Sequence, residues 1–148
     1  SIFGEFMSNV YKSEREITTL QFYVSALELQ VEITQYIMRE KTLPKKWRNA
    51  IGYDIVKKAD LLLDFIVLAN SIYPTNFKEL ILRKILQTMA IATCYRIQNK
   101  LILAEKCVQT VKIKDITKII ENLTEEIKLL KGWKKTTKII KADKDNNK

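Results

Sequence analysis

The side chains able to do chemistry in this sequence are overwhelmingly cationic. Lys45, Lys46 and Arg48 crowd the residues around Trp47, and Lys57 and Lys58 follow. Arg83 and Lys84 form a second cluster. Arg96 and Lys100 are spaced i,i+4, which sets two side chains next to each other on one face of a helix. Lys112, Lys114 and Lys118 form a further group, and Trp133 leads into Lys134, Lys135, Lys138 and Lys141. Cations close to aromatic rings suit phosphate contacts and base stacking. The dipole of a helix disfavours cations at its start. Local stability therefore does not account for Lys45, Lys46 and Arg48. Arg96 lies between Tyr95 and Ile97 in an apolar stretch. An arginine there either meets an acid across a core or is held for a partner, and both readings stand.

Catalytic chemistry is harder to assemble from these residues. The chain has no His, which removes the commonest general base and the commonest metal ligand. It has no Gly-rich phosphate loop and no C-x-x-C pair. Asp60 and Asp64 are spaced i,i+4 but read as solvated surface acids rather than a metal pair. Met38 and Met89 fall in apolar seams and read as core. Cys94 and Cys107 are thirteen residues apart in a helical pattern. Helical rise separates them by roughly 20 Å, far beyond disulfide reach. Free, mostly buried thiols in a reducing compartment are expected. The expectation is a protein that is not an enzyme, with no cofactor and no metal.

Charge and composition bound the rest. The sequence has 26 Lys+Arg against 17 Asp+Glu in 148 residues. Residues 1–40 hold 3 basic and 6 acidic residues, and residues 41–148 hold 23 and 11. A basic surface of that size fits an anionic partner. It fits equally a lysine-rich surface that only maintains solubility. The longest uncharged run, Phe65 to Phe77, has 13 residues, fewer than the roughly 18 that span a bilayer. With no leader pattern in view either, a cytoplasmic protein without a membrane partner is expected.

Few elements can position these clusters. There are only 3 Gly and 2 Pro, where average usage gives about ten and seven. Hairpins and tight turns need both, so their scarcity argues against a sandwich, a barrel or a Rossmann sheet and leaves a few long elements joined by few loops. Ser1–Phe6 read as a cloning remnant ahead of Met7. A first helix is expected from Ser13, opened by a Ser13–Glu16 capping box. Two adjacent apolar stripes follow along it. One runs Ile17, Leu20, Val24, Leu27, Val31, Met38, and the other Phe22, Ala26, Leu29, Ile33, Ile37. Two stripes exceed what a surface helix buries, so this helix is expected to meet another subunit as well.

The second helix opens at Pro44, runs to about Tyr73 and carries the seam Ile55, Ala59, Leu62, Ile66, Ala69, Tyr73. Thr75 or Asn76 caps the third. Its seam reads Leu82, Leu86, Met89, Ala90, Ile97, Leu101, Ala104, and it ends near Val108. The fourth carries Ile113, Ile116, Ile120, Leu123, Ile127, Leu130 and stops at Gly132. The expected architecture is all-α: an up-down-up-down antiparallel four-helix bundle over residues 7–132, with a partly disordered lysine-rich tail over 133–148.

The order of these segments resembles a known family. Leu43-Pro44-Lys45-Lys46-Trp47-Arg48 leads through Ile51-Gly52 into a helix ending Val67-Leu68-Ala69-Asn70. A basic third helix follows, and the last closes with Ile127-Lys128-Leu129-Leu130-Lys131-Gly132-Trp133. From about Leu20 to Lys135 this resembles the accessory variability determinant (Avd) proteins of diversity-generating retroelements. It is similar, more distantly, to the four-helix-bundle proteins of ribosomal RNA intervening sequences. The first resemblance implies a homopentameric barrel that binds a reverse transcriptase and its template RNA, or the DNA or RNA/DNA hybrid made from it. It also implies support for mutagenic copying of a target gene. Arg96 matches the first of an i,i+4 arginine pair that the family uses for partner binding, and Lys100 stands at the second. The more distant resemblance implies a structural bundle with generic or no nucleic-acid binding.

Overall fold

In a computed structural model, residues 20–141 are described. The Ser13 capping box, the first six residues and the last seven lie outside them. All regular structure among the described residues is helical: α1 (Gln21–Ile37), α2 (Tyr53–Ser71), α3 (Phe77–Cys107) and α4 (Ile113–Thr136). No helix among them is long and apolar enough to cross a membrane.

The four helices share one apolar core. In α1 the stripe Phe22, Ala26, Leu29, Ile33, Ile37 is buried. From the adjacent stripe Leu27 and Val31 remain 43% and 49% exposed. Ile55, Ala59, Leu62, Ile66 and Ala69 bury the expected seam of α2. Tyr73 leaves it and is exposed, because α2 ends at Ser71 and the backbone turns extended at Ile72, two residues before Pro74. Asn76 caps α3 with its side chain, accepting from the Glu79 N–H at 2.9 Å. Along α3, Ala90, Cys94, Ile97, Leu101 and Ala104 face the core. Leu82 and Met89 do not, contrary to the expected seam. At 100° per residue they sit roughly a quarter turn or more from that buried row.

The last helix runs further than its glycine suggested. Ile116, Ile119, Leu123, Ile127 and Leu130 are buried, whereas Ile113 is exposed in the first turn. Gly132 continues the helix instead of ending it, and α4 reaches Thr136. Trp133 explains why: its ring stacks on Phe22 of α1 at 4.1 Å. That contact anchors a turn expected to begin a tail. Beyond the helix, buried Thr137 accepts from Gln87 Nε2 at 2.8 Å, and the Ile140 N–H donates to the Pro74 carbonyl at 2.8 Å.

Each helix packs mainly on two others: α1 and α3 each contact α2 and α4. The Lys100–Asp54 ion pair and the Arg83–Ile72 hydrogen bond join α3 to the two ends of α2. Gln98 donates to Thr124 and Gln87 to Thr137, so numbers fall along α4 as they rise along α3. Between α1 and α2 an irregular stretch contains a short turn, Lys45–Trp47, and a wide π-helical turn, Arg48–Gly52. Gly52 is closely packed there. A Cβ at this position would lie 3.0 Å from Leu43 Cδ2 and 3.2 Å from Ile37 Cγ2.

Candidate nucleic-acid and partner interface

The fold gathers the cationic residues into two zones at opposite ends of the bundle. At one end the α1–α2 and α3–α4 connections meet, where Thr110 Oγ1 donates to the Thr42 carbonyl at 2.6 Å. Lys45 and Lys46 are exposed there, and Lys46 Nζ sits 5.5 Å from the centre of the Trp47 ring. Arg48 is half-buried, with a hidden Nε that has no hydrogen-bond partner. Lys112 and Lys114 are exposed at the start of α4 and join this zone. Sequence reading placed them on a separate element. The signal that unites them is the loop-to-loop contact, which spacing along the chain does not reveal.

At the other end lie Arg83, Lys84, Lys134 and Lys135. Arg83 is a structural residue as much as a surface cation. Its Nη1 donates to the Ile72 carbonyl at 3.3 Å, and its guanidinium carbon sits 5.3 Å from the centre of the Trp133 ring. It ties the end of α2 to α3 and α4. Lys84 and Lys134 are half-buried, and Lys135 is exposed. Lys114 and Lys134 are 20 residues apart on α4, which sets the two zones about 30 Å apart.

Arg96 and Lys100 sit between these zones and differ in state. Lys100 Nζ lies 3.5 Å from Asp54 Oδ2. Asp54 also accepts from Lys58 at 2.6 Å, and that hydrogen bond is the main reason its carboxyl is held below the usual range. Arg96 is exposed and makes no ion pair among the described residues. It stands within an apolar surface, for Ile81, Ile85, Met89 and Leu103 of α3 are all exposed. Met89 therefore belongs to this outer face rather than to the core.

A groove of about 560 Å³ opens on another side, between α1 and α4. Leu27, Val31 and Ile119 provide apolar lining, with Glu28 and Glu32 beside them. Asp60 and Asp64 are exposed, as expected, and Asp60 accepts from Gln30. Burial and the charge of Asp60 raise the Asp64 carboxyl. Among the described residues no three acidic, Cys or His side chains gather to hold a metal. Both cysteines are free; Cys94 is buried but Cys107 is exposed, against expectation. Burial pushes the Cys94 thiol up, which suppresses its reactivity.

One ionisable group escaped the sequence reading. Glu126 interrupts the inner stripe of α4 and is fully buried. Neither carboxylate oxygen makes a hydrogen bond of good geometry. Loss of hydration raises its pKa to about 8, and the nearby Ser25 hydroxyl lessens the rise. Compared with known proteins, the chain matches no family model, no curated protein and no solved structure.

Proposed function

We propose that this chain is a non-catalytic accessory subunit of a diversity-generating retroelement. It binds template RNA and the reverse transcriptase as an up-down-up-down antiparallel bundle in a cyclic homo-oligomer, which the family resemblance makes a pentamer. The observation that carries the nucleic-acid part is the end of the bundle where Lys45, Lys46 and Arg48 flank Trp47 and Lys112 and Lys114 open α4. They stand in or next to two connections fixed to each other, and none is in an ion pair among the described residues. Phosphates can occupy such a zone without first breaking internal contacts. The outer face of α3 is a different surface, apolar with one central cation, and suits protein. Arg83 and Lys100 are already engaged within the chain, so they contribute less than their charges suggest.

A salt titration of template-RNA binding tests this reading. Each neutralised phosphate of a single strand contributes about −0.7 to the log–log slope. Replacing Lys45, Lys46 and Arg48 together with Ala is expected to lower affinity and flatten the slope by roughly two. An unchanged slope and affinity defeat the proposal. They would favour the structural bundle of the ribosomal intervening-sequence type. The purified protein is expected to show no polymerase, nuclease or NTPase activity.

A further inference from the structure

We propose that the outer face of α3 is covered by a second copy of this chain, seated in that copy's α1–α4 groove. The inference rests on the self-association proposed above and assigns its surfaces. Ile81, Ile85, Met89, Ala92, Arg96 and Leu103 are all exposed. Their spacing of three, four or seven residues places them in one row down the helix. A helix apolar on both its inner and outer faces is a helix buried in an assembly. A phosphate backbone does not fit this row, because it is apolar for most of its length.

The chain itself carries a matching surface. The α1–α4 groove presents Leu27 and Val31, themselves spaced i,i+4, with Glu28 and Glu32 at the same interval beside them. An apolar row with a central arginine meets an apolar groove flanked by two carboxylates. Arg96, without an acid among the described residues of its own chain, gains one from its neighbour. At the far end of the groove Arg39 and Lys118 outnumber Asp115, so the acidic character is confined to the Glu28 and Glu32 end, where Glu32 also accepts from Asn122 at 3.2 Å. The main helix contacts leave α1 and α3 on opposite corners of the bundle. The row and the groove are thus different patches, and copies that use them join head to tail. Such contacts close into a ring or extend as a filament, and do not stop at a symmetric pair.

Two variants of the full chain test the head-to-tail geometry, measured by light scattering without RNA or polymerase. Ile85→Asp spoils the α3 row and leaves the groove intact. Val31→Asp spoils the groove and leaves the row intact. Both positions are on the surface, and circular dichroism checks that each variant keeps its helices. Each variant alone is expected to be monomeric, with its association midpoint raised at least about a hundredfold by the buried charge. An equimolar mixture is expected to form a 1:1 dimer and nothing larger, because one good row meets one good groove. Arg96→Glu is expected to weaken association, and adding Glu28→Arg and Glu32→Arg in the same chain to restore it. A wild-type monomer overturns both this inference and the oligomer in the proposed function. A wild-type oligomer that persists in both variants, or variants that stay monomeric when mixed, overturns this assignment alone. In the first of those cases the α3 face is left to the polymerase, and RNA binding by the variants is read separately.

Discussion

Helices α3 and α4 lie side by side in one core, yet they spend their apolar residues differently. In α4 these residues fall on one side, and the opposite side is Lys, Glu and Thr. In α3 they fall on both sides. Leu101 is fully buried, whereas Leu103, two residues on, is two-fifths exposed. Two flanking helices cover only the inner half of α3. Among the described helices none covers the outer half, and the proposed self-association gives that half its use.

Alanine substitutions at those two leucines separate the two uses. Leu101→Ala opens a cavity in the core and is expected to cost 2–5 kcal/mol in urea unfolding, about the range for buried leucines. Leu103→Ala is expected to change monomer stability by less than about 0.5 kcal/mol. Equal losses at both positions would mean that the outer face belongs to the fold, and the contrast would fail.

The inner stripe of α4 has its own exception in Glu126, which makes the contrast pH-dependent. Below about pH 4.5 the carboxyl is protonated in the folded and unfolded chains alike. Between there and about pH 8 the unfolded chain releases the proton and the fold retains it. Stability from this group therefore falls as pH rises through that window, by roughly 1.4 kcal/mol per unit at most, and levels off above it. The groups facing it are Ser25 of α1 and the neutral Cys94 thiol of α3, and neither supplies a compensating charge. Glu126→Gln keeps the shape and removes the titration. The variant is expected to match wild type near pH 4.5 and to exceed it by a few kcal/mol at pH 8. Parallel melting curves for the two proteins across that range would rule this out.

Much of the helix plan was legible because it depends on local spacing. The second stripe of α1, the α2 seam and the Asn76 cap follow from periodicity and capping chemistry. The α3 seam was misread at Leu82 and Met89. A helix with apolar residues all round offers no single period to select its inner face. The Gly132 stop was misread because stacking of Trp133 on Phe22 is a contact between the two ends of the described chain. The candidate site was legible in its residue types but not in its grouping. Sequence clusters do not say that Lys45 and Lys112 share an end, that Lys100 has already met Asp54, or that Arg83 is bound to a carbonyl. Glu125 and Glu126 are adjacent glutamates in the sequence, and only packing distinguishes the exposed one from the buried one.

The two described glycines give smaller effects than the core substitutions, with opposite signs. Gly52 has fully buried Leu43 and Ile37 against the position of its missing side chain. The helix preference gained by Ala is smaller than the strain of displacing packed groups. Gly52→Ala is expected to destabilise by about 1 kcal/mol. Gly132 has nothing within 4 Å of an added Cβ, and α4 passes through it in ordinary helical conformation. There the substitution removes flexibility from the unfolded chain and meets no obstacle in the folded one. Gly132→Ala is expected to stabilise by roughly 0.5–1 kcal/mol. A glycine that ended the helix in the left-handed conformation would give the reverse sign, since a Cβ is costly there. Thermal melting of this one variant therefore decides whether Trp133 to Thr136 belong to α4 in solution. A loss of stability would return Lys134 and Lys135 to a tail and remove them from the rigid basic end beside Arg83.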